Sequence, residues 1–388
     1  MTSFADIIAP ITPAQFFAEH HSRKPLHIPG GAAKFSGVMS RDRLDGLIDT
    51  PGLWNAKSFQ MARDSIMLPG AAYCPAGPAG TGAPDPARVK ALLADGASLV
   101  LNDIDLLAPG LDGVAAVARA LETTLEAKVQ ANLYSSPRER QAFASHYDTH
   151  DVYAVHVEGE KLWRIYEGRI DNPIEHSTFK SQGRAFHDEA KGKVAAEVLM
   201  KPGDLLYLPR GQYHDAVARS ERTIHIAFGA VGVIGIDLVT MLFEAAVQDP
   251  LFRADLPRRH GQGPDAGEAA FAERLAALGR RLEELATAPE MLKALRDFQD
   301  RFRYRAAPAG YRVTARDFKV TMQGGGWILA RAGKATPIPS GFDRAVAWVV
   351  TQDAFTDADL TRKFPALGAE TRGDLLRSLL AMKVIATL

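Results

Sequence analysis

The chain has 388 residues, with 46 basic and 46 acidic side chains, so its formal net charge is zero. This balance argues against binding driven mainly by nonspecific attraction to nucleic acid. A single cysteine, Cys74, excludes an intrachain disulfide and a zinc site built from several thiolates. The start, MTSFADIIAP, lacks the features of a signal peptide, and no apolar stretch approaches the ~20 residues needed to cross a bilayer. We therefore expect a soluble, cytoplasmic protein without a membrane partner.

The amino-terminal part mixes short helices with extended segments. ITPAQFFAEHHSRKP predicts a helix with Thr12 as its cap and Pro13 in its first turn, ending before Pro25. Residues 69–86, PGAAYCPAGPAGTGAPDP, are rich in glycine, proline and alanine. They predict a long loop, either a lid over a site or a plain surface excursion.

Strands dominate from about residue 128 to 232. The segments are short, β-branched or aromatic, and separated by glycine, proline or polar turns. They read VQANLYSS, DVYAVHVEG, KLWRIYEG, AEVLMKPGDLLYLP, DAVARS and RTIHIAFGAV. Several strands at this spacing predict a sandwich or barrel with a filled or ligand-holding interior, which we expect to be the catalytic core.

The pattern changes to amphipathic helix near residue 235. IDLVTMLFEAAVQDPLF and EAAFAERLAALGRRLEELATAPEMLKALRDFQDRF carry apolar residues at three- and four-residue spacing, with charges between them. Such helices either cover the barrel of their own chain or pair with a second copy in a homodimer.

The last part of the chain predicts a small separate unit. RVTARDFKVTMQGGGWILARAGKATPIPS reads as short strands, and two helices and a terminal strand follow, with Thr356 and Thr371 as caps. This order is typical of a winged-helix-like domain. Its mixed charges favour contact with protein over contact with DNA.

The stretch HYDTHD, residues 146–151, is the first candidate for a metal site. On a strand, His146 and Asp148 project to one side and Tyr147 to the other. A histidine and a carboxylate on one face are two of the three ligands of the facial triad that holds Fe(II). An isolated H-x-D is weak evidence, because histidines near strand ends are usually ordinary surface residues.

A third ligand is available in KPGDLLYLPRGQYHDA. Lys201–Asp204 predicts a turn, Leu205–Leu208 a buried strand, and a second turn then presents His214. Strands that are far apart in sequence often lie side by side in a barrel. The two segments together strengthen the case for a metal site.

At these segments the chain resembles a known family. ANLYSSPRERQAFASHYDTHDVYAVHVEGEKLWRIYEGR and KPGDLLYLPRGQYHDA resemble the jumonji-C (JmjC) branch of 2-oxoglutarate-dependent oxygenases, in particular the cupin-4-type ribosomal oxygenases. The resemblance implies a mainly β, cupin-like catalytic core, a double-stranded β-helix or jelly roll, over residues 1–234. A helical, possible dimerisation region over 235–305 and a winged-helix-like domain over 306–388 would follow.

The resemblance also implies roles for individual residues. His146, Asp148 and His214 become the iron ligands, and Lys161 pairs with the distal carboxylate of 2-oxoglutarate. A buried ammonium suits that role because it needs an anionic partner. The alternative for Lys161 is a solvated charge at a strand end.

Further residues match the cosubstrate pocket. Asn132 and Tyr134 share one face of a strand and correspond to polar pocket residues, although Tyr134 could equally serve core packing. Thr223 and His225 lie on the closing strand and are expected to add hydrogen bonds there.

Some positions depart from the group's pattern. His156 stands where a glutamine is usual, and Gln212 replaces an aromatic residue. We expect such residues to shape the mouth of the pocket and hence the choice of substrate. Within HYDTHD, the resemblance leaves His150 outside the metal site and gives Asp151 a bracing role.

The implied activity is oxygenation with Fe(II), 2-oxoglutarate and dioxygen. The favoured substrate is an amino-acid side chain of a protein, with ribosomal proteins as candidates and nucleic acid not expected as a direct substrate. A small-molecule hydroxylase is the first alternative, and a non-catalytic cupin-like binding protein is the second. A metal-dependent isomerase or dioxygenase without 2-oxoglutarate is the third, which would not need Lys161.

Overall fold

The computed structural model describes ten stretches of the chain. They are residues 3–63, 66–75, 82–108, 111–137, 143–258, 264–302, 310–324, 326–339, 341–365 and 367–387. The predicted lid at 69–86 therefore lies partly outside the described residues, and its role stays a prediction. The chain separates into two compact units, one of residues 1–121, 129–230 and 305–388, the other of 122–128 and 231–304.

The amino-terminal region alternates short helices and strands. The predicted cap is confirmed, since Thr12 caps the helix that begins at Pro13, in a capping box with Gln15. The helix ends earlier than predicted, at Glu19. The elements are α1 Phe4–Ile8, α2 Pro13–Glu19, β1 Leu26–Ile28, α3 Arg41–Ile48, β2 Phe59–Arg63, β3 Ile66–Met67, α4 Pro86–Ala94, β4 Ser98–Leu101, α5 Ile104–Leu107 and α6 Asp112–Leu125.

The predicted β core is present as two antiparallel sheets. One follows the order β1-β9-β6-β11-β5-β4-β2-β3, and the other the order β10-β7-β8. The elements are β5 Ala127–Pro137, β6 Asp151–Glu158, β7 Lys161–Arg169, α7 Ser177–Lys180, α8 Arg184–Ala190, β8 Val194–Met200, β9 Leu205–Leu208, β10 Gln212–Ala218 and β11 Arg222–Gly232. The segment read as AEVLMKPGDLLYLP is thus divided between β8 and β9.

Apolar side chains of both sheets share one core. Val152 and Leu206 of the larger sheet pack in the same buried cluster as Trp163, Ile165 and Met200 of the smaller one. Burial of these residues holds the sheets face to face, because each large side chain removed from water stabilises the fold by about 1.5–3 kcal/mol. The space between the sheets contains the site described below.

The second unit is helical, as predicted for the middle of the chain. Asp249 joins two of its helices, since its carboxylate caps Leu251 N at 2.9 Å and accepts from Arg281 Nε at 2.6 Å. The elements are α9 Gly235–Gln248, α10 Pro250–Arg253, α11 Pro264–Thr287 and α12 Pro289–Phe302. Across the described ranges, no helix is both long and apolar enough to span a bilayer.

The carboxy-terminal part has its own apolar core, to which Tyr311, Val349, Phe355 and Leu379 belong. Its strands form two sheets in the orders β16-β12-β17 and β13-β14-β15. The elements are β12 Tyr311–Val313, β13 Lys319–Gln323, β14 Gly326–Arg331, β15 Lys334–Pro337, α13 Asp343–Val349, β16 Ala354–Phe355, α14 Asp357–Lys363, α15 Ala369–Ala381 and β17 Ile385–Thr387.

Of the two caps predicted in this part, one is confirmed. Thr356 caps α14 in a capping box with Asp359. The prediction for Thr371 is wrong, because α15 begins at Ala369 with Gly368 as its cap, which places Thr371 within the first turn. The helix α13 was not predicted. The winged-helix identity and the three-domain division stay predictions.

Candidate metal and cosubstrate site

A cavity of about 290 Å³ opens between the two sheets. Its polar lining includes His146, Asp148 and His150 of HYDTHD, together with the distant His214. The lining residues are Asn132, Tyr134, Phe143, His146, Asp148, His150, Val152, Lys161, Trp163, His214, Ala216, His225 and Ala227.

His146, Asp148 and His214 come together at this cavity. One ligand atom from each lies within 4.8 Å of the others. Within the described part of the chain, this is the group of histidine, cysteine and acidic side chains that is close enough to hold a metal ion. Two imidazoles and one carboxylate are the donor set of the Fe(II) facial triad, so the residues fit that ion.

Backbone carbonyls orient both histidines of this group. His146 Nδ1 lies 2.7 Å from the carbonyl oxygen of Ala144, and His214 Nδ1 lies 2.9 Å from that of Gln212. A neutral ring that donates from Nδ1 keeps the lone pair of Nε2 free for a metal. Burial lowers the pKa of His214 to about 4, so this ring is neutral at physiological pH.

Asp148 is held as a carboxylate. Burial opposes its ionisation, but the neighbouring His146, His150 and His214 outweigh that effect and lower its pKa below the ordinary value. Its carbonyl oxygen accepts from Gly211 N at 2.8 Å. Gly211 has a φ of +84°, which favours glycine, and the turn it forms leads directly to His214.

The HYDTHD segment is not the regular strand on which the alternation argument depended. Its strand character is one isolated bridge, between His146 and His214, and β6 begins only at Asp151. The side chains still divide as predicted. His146 and Asp148 line the cavity, whereas Tyr147 packs edge-on against Tyr213 with ring centroids 5.2 Å apart.

Asp151 braces the turn that precedes His214, in agreement with the resemblance. Its carboxylate accepts from Tyr207 Oη at 2.9 Å and from Arg210 N at 2.8 Å. The start of β6 and the second ligand-bearing segment are thereby tied together.

Lys161 is a buried cation and not a solvated strand-end charge. Only 2% of its surface is exposed, and it forms no ion pair with a described residue. Its ammonium lies 3.5 Å from His225 Nδ1. Burial lowers the pKa of Lys161 to about 7. Such a group gains stability from a buried anion, which a dicarboxylate in the cavity would supply.

The predicted pocket residues Asn132, Tyr134 and His225 also line the cavity. The rings of Tyr134 and His225 stack with centroids 4.8 Å apart and an interplanar angle of 11°. Burial raises the pKa of Tyr134 above its ordinary value, so its hydroxyl stays protonated and can donate. Asn132 Oδ1 accepts from Asp103 N at 3.1 Å, which fixes the side chain.

Three expectations need correction. Thr223 does not line the cavity, because its hydroxyl donates to the carbonyl oxygen of Ser136 on the neighbouring strand β5. His156 lies behind His225, with the two rings stacked at 6.4 Å, and not at the cavity mouth. Gln212 is buried and donates to the carbonyl oxygens of Tyr166 and Gly168.

Sequence reasoning missed several lining residues that strand alternation could have found. Trp163 follows Lys161 by two positions on β7, Ala216 follows His214 on β10, and Ala227 follows His225 on β11. Residues two apart on a strand share a face, so each lies beside a predicted site residue. His150 and Val152 continue the two-residue spacing from Asp148, whereas Phe143 lies outside that rule.

The comparisons with known proteins agree with this geometry. The JmjC domain model matches residues 113–234, a range that contains all three members of the His-Asp-His group. This part of the chain is a JmjC domain.

Two curated proteins are similar in sequence to this chain. It is 30% identical over 234 residues to the bifunctional lysine-specific demethylase and histidyl-hydroxylase NO66 of Drosophila persimilis. That alignment covers 59% of this chain and 31% of the relative. The chain is 26% identical over 305 residues to ribosomal oxygenase 1 of Rattus norvegicus, covering 73% and 48%. The chain therefore spans less than half of either relative.

A solved structure shares the fold over nearly the whole chain. The ribosomal oxygenase YcfD of Escherichia coli, solved with cobalt and succinic acid, matches with a TM-score of 0.51 and 15% identity. The match covers 97% of this chain and 98% of that one. The predicted β fold class is confirmed, and the domain match agrees with the predicted family.

Proposed function

We propose that this protein is an Fe(II)- and 2-oxoglutarate-dependent oxygenase that hydroxylates an amino-acid side chain of a protein. One observation carries the proposal. A His-Asp-His donor set and a buried lysine without an acidic partner among the described residues line the same cavity. The first suits Fe(II), and the second suits a cosubstrate with a second carboxylate.

His146, Asp148 and His214 would hold the iron through two imidazole nitrogens and one carboxylate oxygen. Three protein ligands leave other coordination positions free for small molecules. With 2-oxoglutarate and dioxygen, the bound Fe(II) supplies the oxidising chemistry. The chain's own contribution is to keep His214 neutral and Asp148 ionised, so that both are ready to bind.

Lys161 would bind the carboxylate of 2-oxoglutarate that lies away from the metal. Tyr134 can donate its hydroxyl proton to the same region, because it lines the cavity and stays protonated. Trp163 and Phe143 add aromatic walls that exclude water, which strengthens the attraction between ammonium and carboxylate. The cobalt and succinic acid in the E. coli relative support a site for a metal and a dicarboxylate.

A protein substrate is supported by the relatives' names, which describe a histidyl-hydroxylase, a lysine-specific demethylase and ribosomal oxygenases. We propose a ribosomal protein as the substrate and therefore a cytoplasmic location. A small-molecule substrate is the main alternative. Intact-mass analysis of a total ribosomal-protein extract, incubated with enzyme, Fe(II) and 2-oxoglutarate, separates the two. A gain of one oxygen atom on one protein supports the proposal, and unchanged masses contradict it.

The activity itself is tested without any substrate. Purified protein with Fe(II) should convert 2-oxoglutarate to succinate slowly, by uncoupled turnover. Protein that neither binds 2-oxoglutarate nor consumes it would contradict the oxygenase proposal and favour a non-catalytic binding protein. Consumption of dioxygen without 2-oxoglutarate would favour the wider class of metal-dependent dioxygenases.

We also propose that α9 mediates a homodimer. Ile236, Val239, Phe243 and Val247 recur at helical spacing on α9 and are 42–65% exposed. Apolar side chains gathered on one helix face are stabilised by a partner surface. Sedimentation of wild type and Phe243→Glu at equal concentration tests this, since only wild type should form the dimer. A monomeric wild type contradicts the proposal.

A further inference from the structure

We propose that His150 is a substrate-recognition residue, whose imidazole hydrogen-bonds to a polar group of the protein segment that enters the cavity. This inference rests on the proposed function, because it assigns a role at the same site. It gives the cavity a specificity-determining side chain that takes no part in holding metal or cosubstrate.

His150 is a polar lining residue to which neither the metal group nor the cosubstrate pocket assigns a role. The metal group uses His146, Asp148 and His214, and the nitrogens of His150 do not join it. The remaining polar residues are engaged with one another or with the backbone, as described for Lys161 and its neighbours. His150 makes no hydrogen bond or ion pair to any residue in the described ranges, although it lines the cavity and is only half-buried.

The ring of His150 lies directly against β11. A Cβ added at Gly229 would be 2.6 Å from Nε2 and closer still to Cδ2. A larger residue at position 229 would therefore have to displace the ring. Gly229 of β11 pairs with Val152 of β6, which follows His150 by two residues. The ring therefore lies close to the place where β6 and β11 pair.

The backbone on either side of His150 is also anchored. Asp148 O accepts from Gly211 N at 2.8 Å, and the Asp151 carboxylate holds Tyr207 and Arg210. A polar ring on an anchored backbone that makes no hydrogen bond within the described ranges is available to a ligand, and the anchoring reduces the ordering required on binding. The surrounding lining supplies apolar surface from Phe143 and Ala227.

An imidazole offers one donor and one acceptor when neutral, so it can bind an amide, hydroxyl or carbonyl group of an entering segment. His150 lies two residues after Asp148 and lines the same cavity, so a group bound by it would lie near the candidate metal ligands. Recognition at this point would decide which side chain is presented for oxidation. Loss of the hydrogen bond would leave the substrate's polar group unpaired in the cavity.

The test compares His150→Phe with wild type, using a total ribosomal-protein extract as the probe. Phenylalanine keeps a ring above Gly229 but removes both hydrogen-bonding nitrogens. The quantity measured is the coupling ratio, the oxygen gained by protein per succinate formed. We expect His150→Phe to lower this ratio about tenfold, as loss of one hydrogen bond to a buried group predicts. His150→Asn, which keeps a donor and an acceptor, should recover part of it.

The coupling ratio separates recognition from a structural role. A structural defect lowers protein oxidation and succinate formation together and leaves the ratio unchanged, which would overturn the inference. His176 is exposed and lies outside the cavity, where its ring caps α7 by accepting from Thr178 N, so His176→Phe is the control for a local structural change and should leave the ratio at the wild-type value.

Gly229→Ala provides a second variant. Its added methyl group would displace the ring, so we expect a similar fall in the coupling ratio. In a His150→Ala background the same change should have no further effect, because the ring is already absent. Independent, multiplying effects of the two changes would overturn the inference. If the wild type forms succinate but oxidises no protein, the proposed substrate is wrong. If it forms no succinate, the proposed function itself is wrong.

Discussion

The backbones of His146 and His214 are hydrogen-bonded to each other twice, from His146 N to His214 O at 3.0 Å and from His214 N to His146 O at 2.8 Å. This single bridge brings two ligand-bearing segments together from distant parts of the sequence. The paired peptide groups set the spacing of the two residues. Their ring centroids lie 4.6 Å apart. The backbone therefore positions two of the three candidate ligands.

Removal of one candidate ligand should weaken metal binding strongly without unfolding the protein. We expect His214→Ala to weaken Co(II) or Fe(II) binding more than about 100-fold, beyond the loss typical of an outer-shell partner. Calorimetric titration with Co(II) measures the effect, and circular dichroism checks the fold. His176→Ala is the surface control. Unchanged metal content in His214→Ala would favour the binding-protein alternative.

Replacement of Lys161 should affect stability and ligand binding in opposite directions. Lys161→Met removes a buried ammonium that has no acidic partner among the described residues, so the ligand-free protein should gain about 1–3 kcal/mol in unfolding free energy. The same change should weaken 2-oxoglutarate binding about 100-fold, since it removes the cation for the distal carboxylate. Denaturant unfolding and titration with 2-oxoglutarate give the two values. A structural role alone would lower the stability.

The affinity for 2-oxoglutarate should fall as the pH rises. Burial lowers the pKa of Lys161 to about 7, so above that pH the ligand-free protein increasingly carries a neutral amine. A bound carboxylate favours the ammonium, and affinity is therefore greatest below the pKa and declines above it. The dissociation constant measured at about pH 6, 7.5 and 9 tests the direction. Lys161→Arg stays charged throughout and should show a flat profile at this position.

The lowered pKa of Lys161 also determines how the stability of the protein changes with pH. Folding lowers the pKa of Lys161 from 10.5, so between about 7 and 10.5 the unfolded chain binds the extra proton. The unfavourable contribution of Lys161 is thus complete below pH 7 and shrinks as the pH rises through that window. The stability difference between Lys161→Met and wild type should accordingly narrow from pH 6 to pH 9. A stability difference that stays constant with pH would show that burial does not destabilise the ammonium.

The sequence could predict those parts of the site that depend on short-range periodicity. His146, Asp148 and Lys161 were found because of spacing and resemblance, and the facing of Tyr147 was right even though the segment is not a strand. Strand alternation would also have located Trp163 beside Lys161. Such patterns repeat every two residues and are visible in one chain.

Features that depend on the pairing of distant strands could not be predicted in this way. The hydroxyl of Thr223 turns to Ser136 because β11 lies next to β5, a relation that no local pattern specifies. The approach of His150 to Gly229 likewise depends on the register of β11 against β6. The cap at Thr371 failed because Gly368 begins the helix three residues earlier, with no side-chain hydrogen bond.

Asp215, directly after His214, is another such feature, and its removal should destabilise the fold. It is buried and accepts from Tyr166 Oη at 2.5 Å and from Arg164 Nε at 2.9 Å. Asp215→Ala leaves both donors without their acceptor, and we expect a loss of about 2–4 kcal/mol in unfolding free energy. Tyr166→Phe removes one hydrogen bond and should cost about 1 kcal/mol. Denaturant unfolding of both single variants and the double variant measures their coupling, which should be well above zero because the residues touch. Additive losses would show that the hydroxyl and the carboxylate act independently, and that Arg164 alone accounts for the role of Asp215.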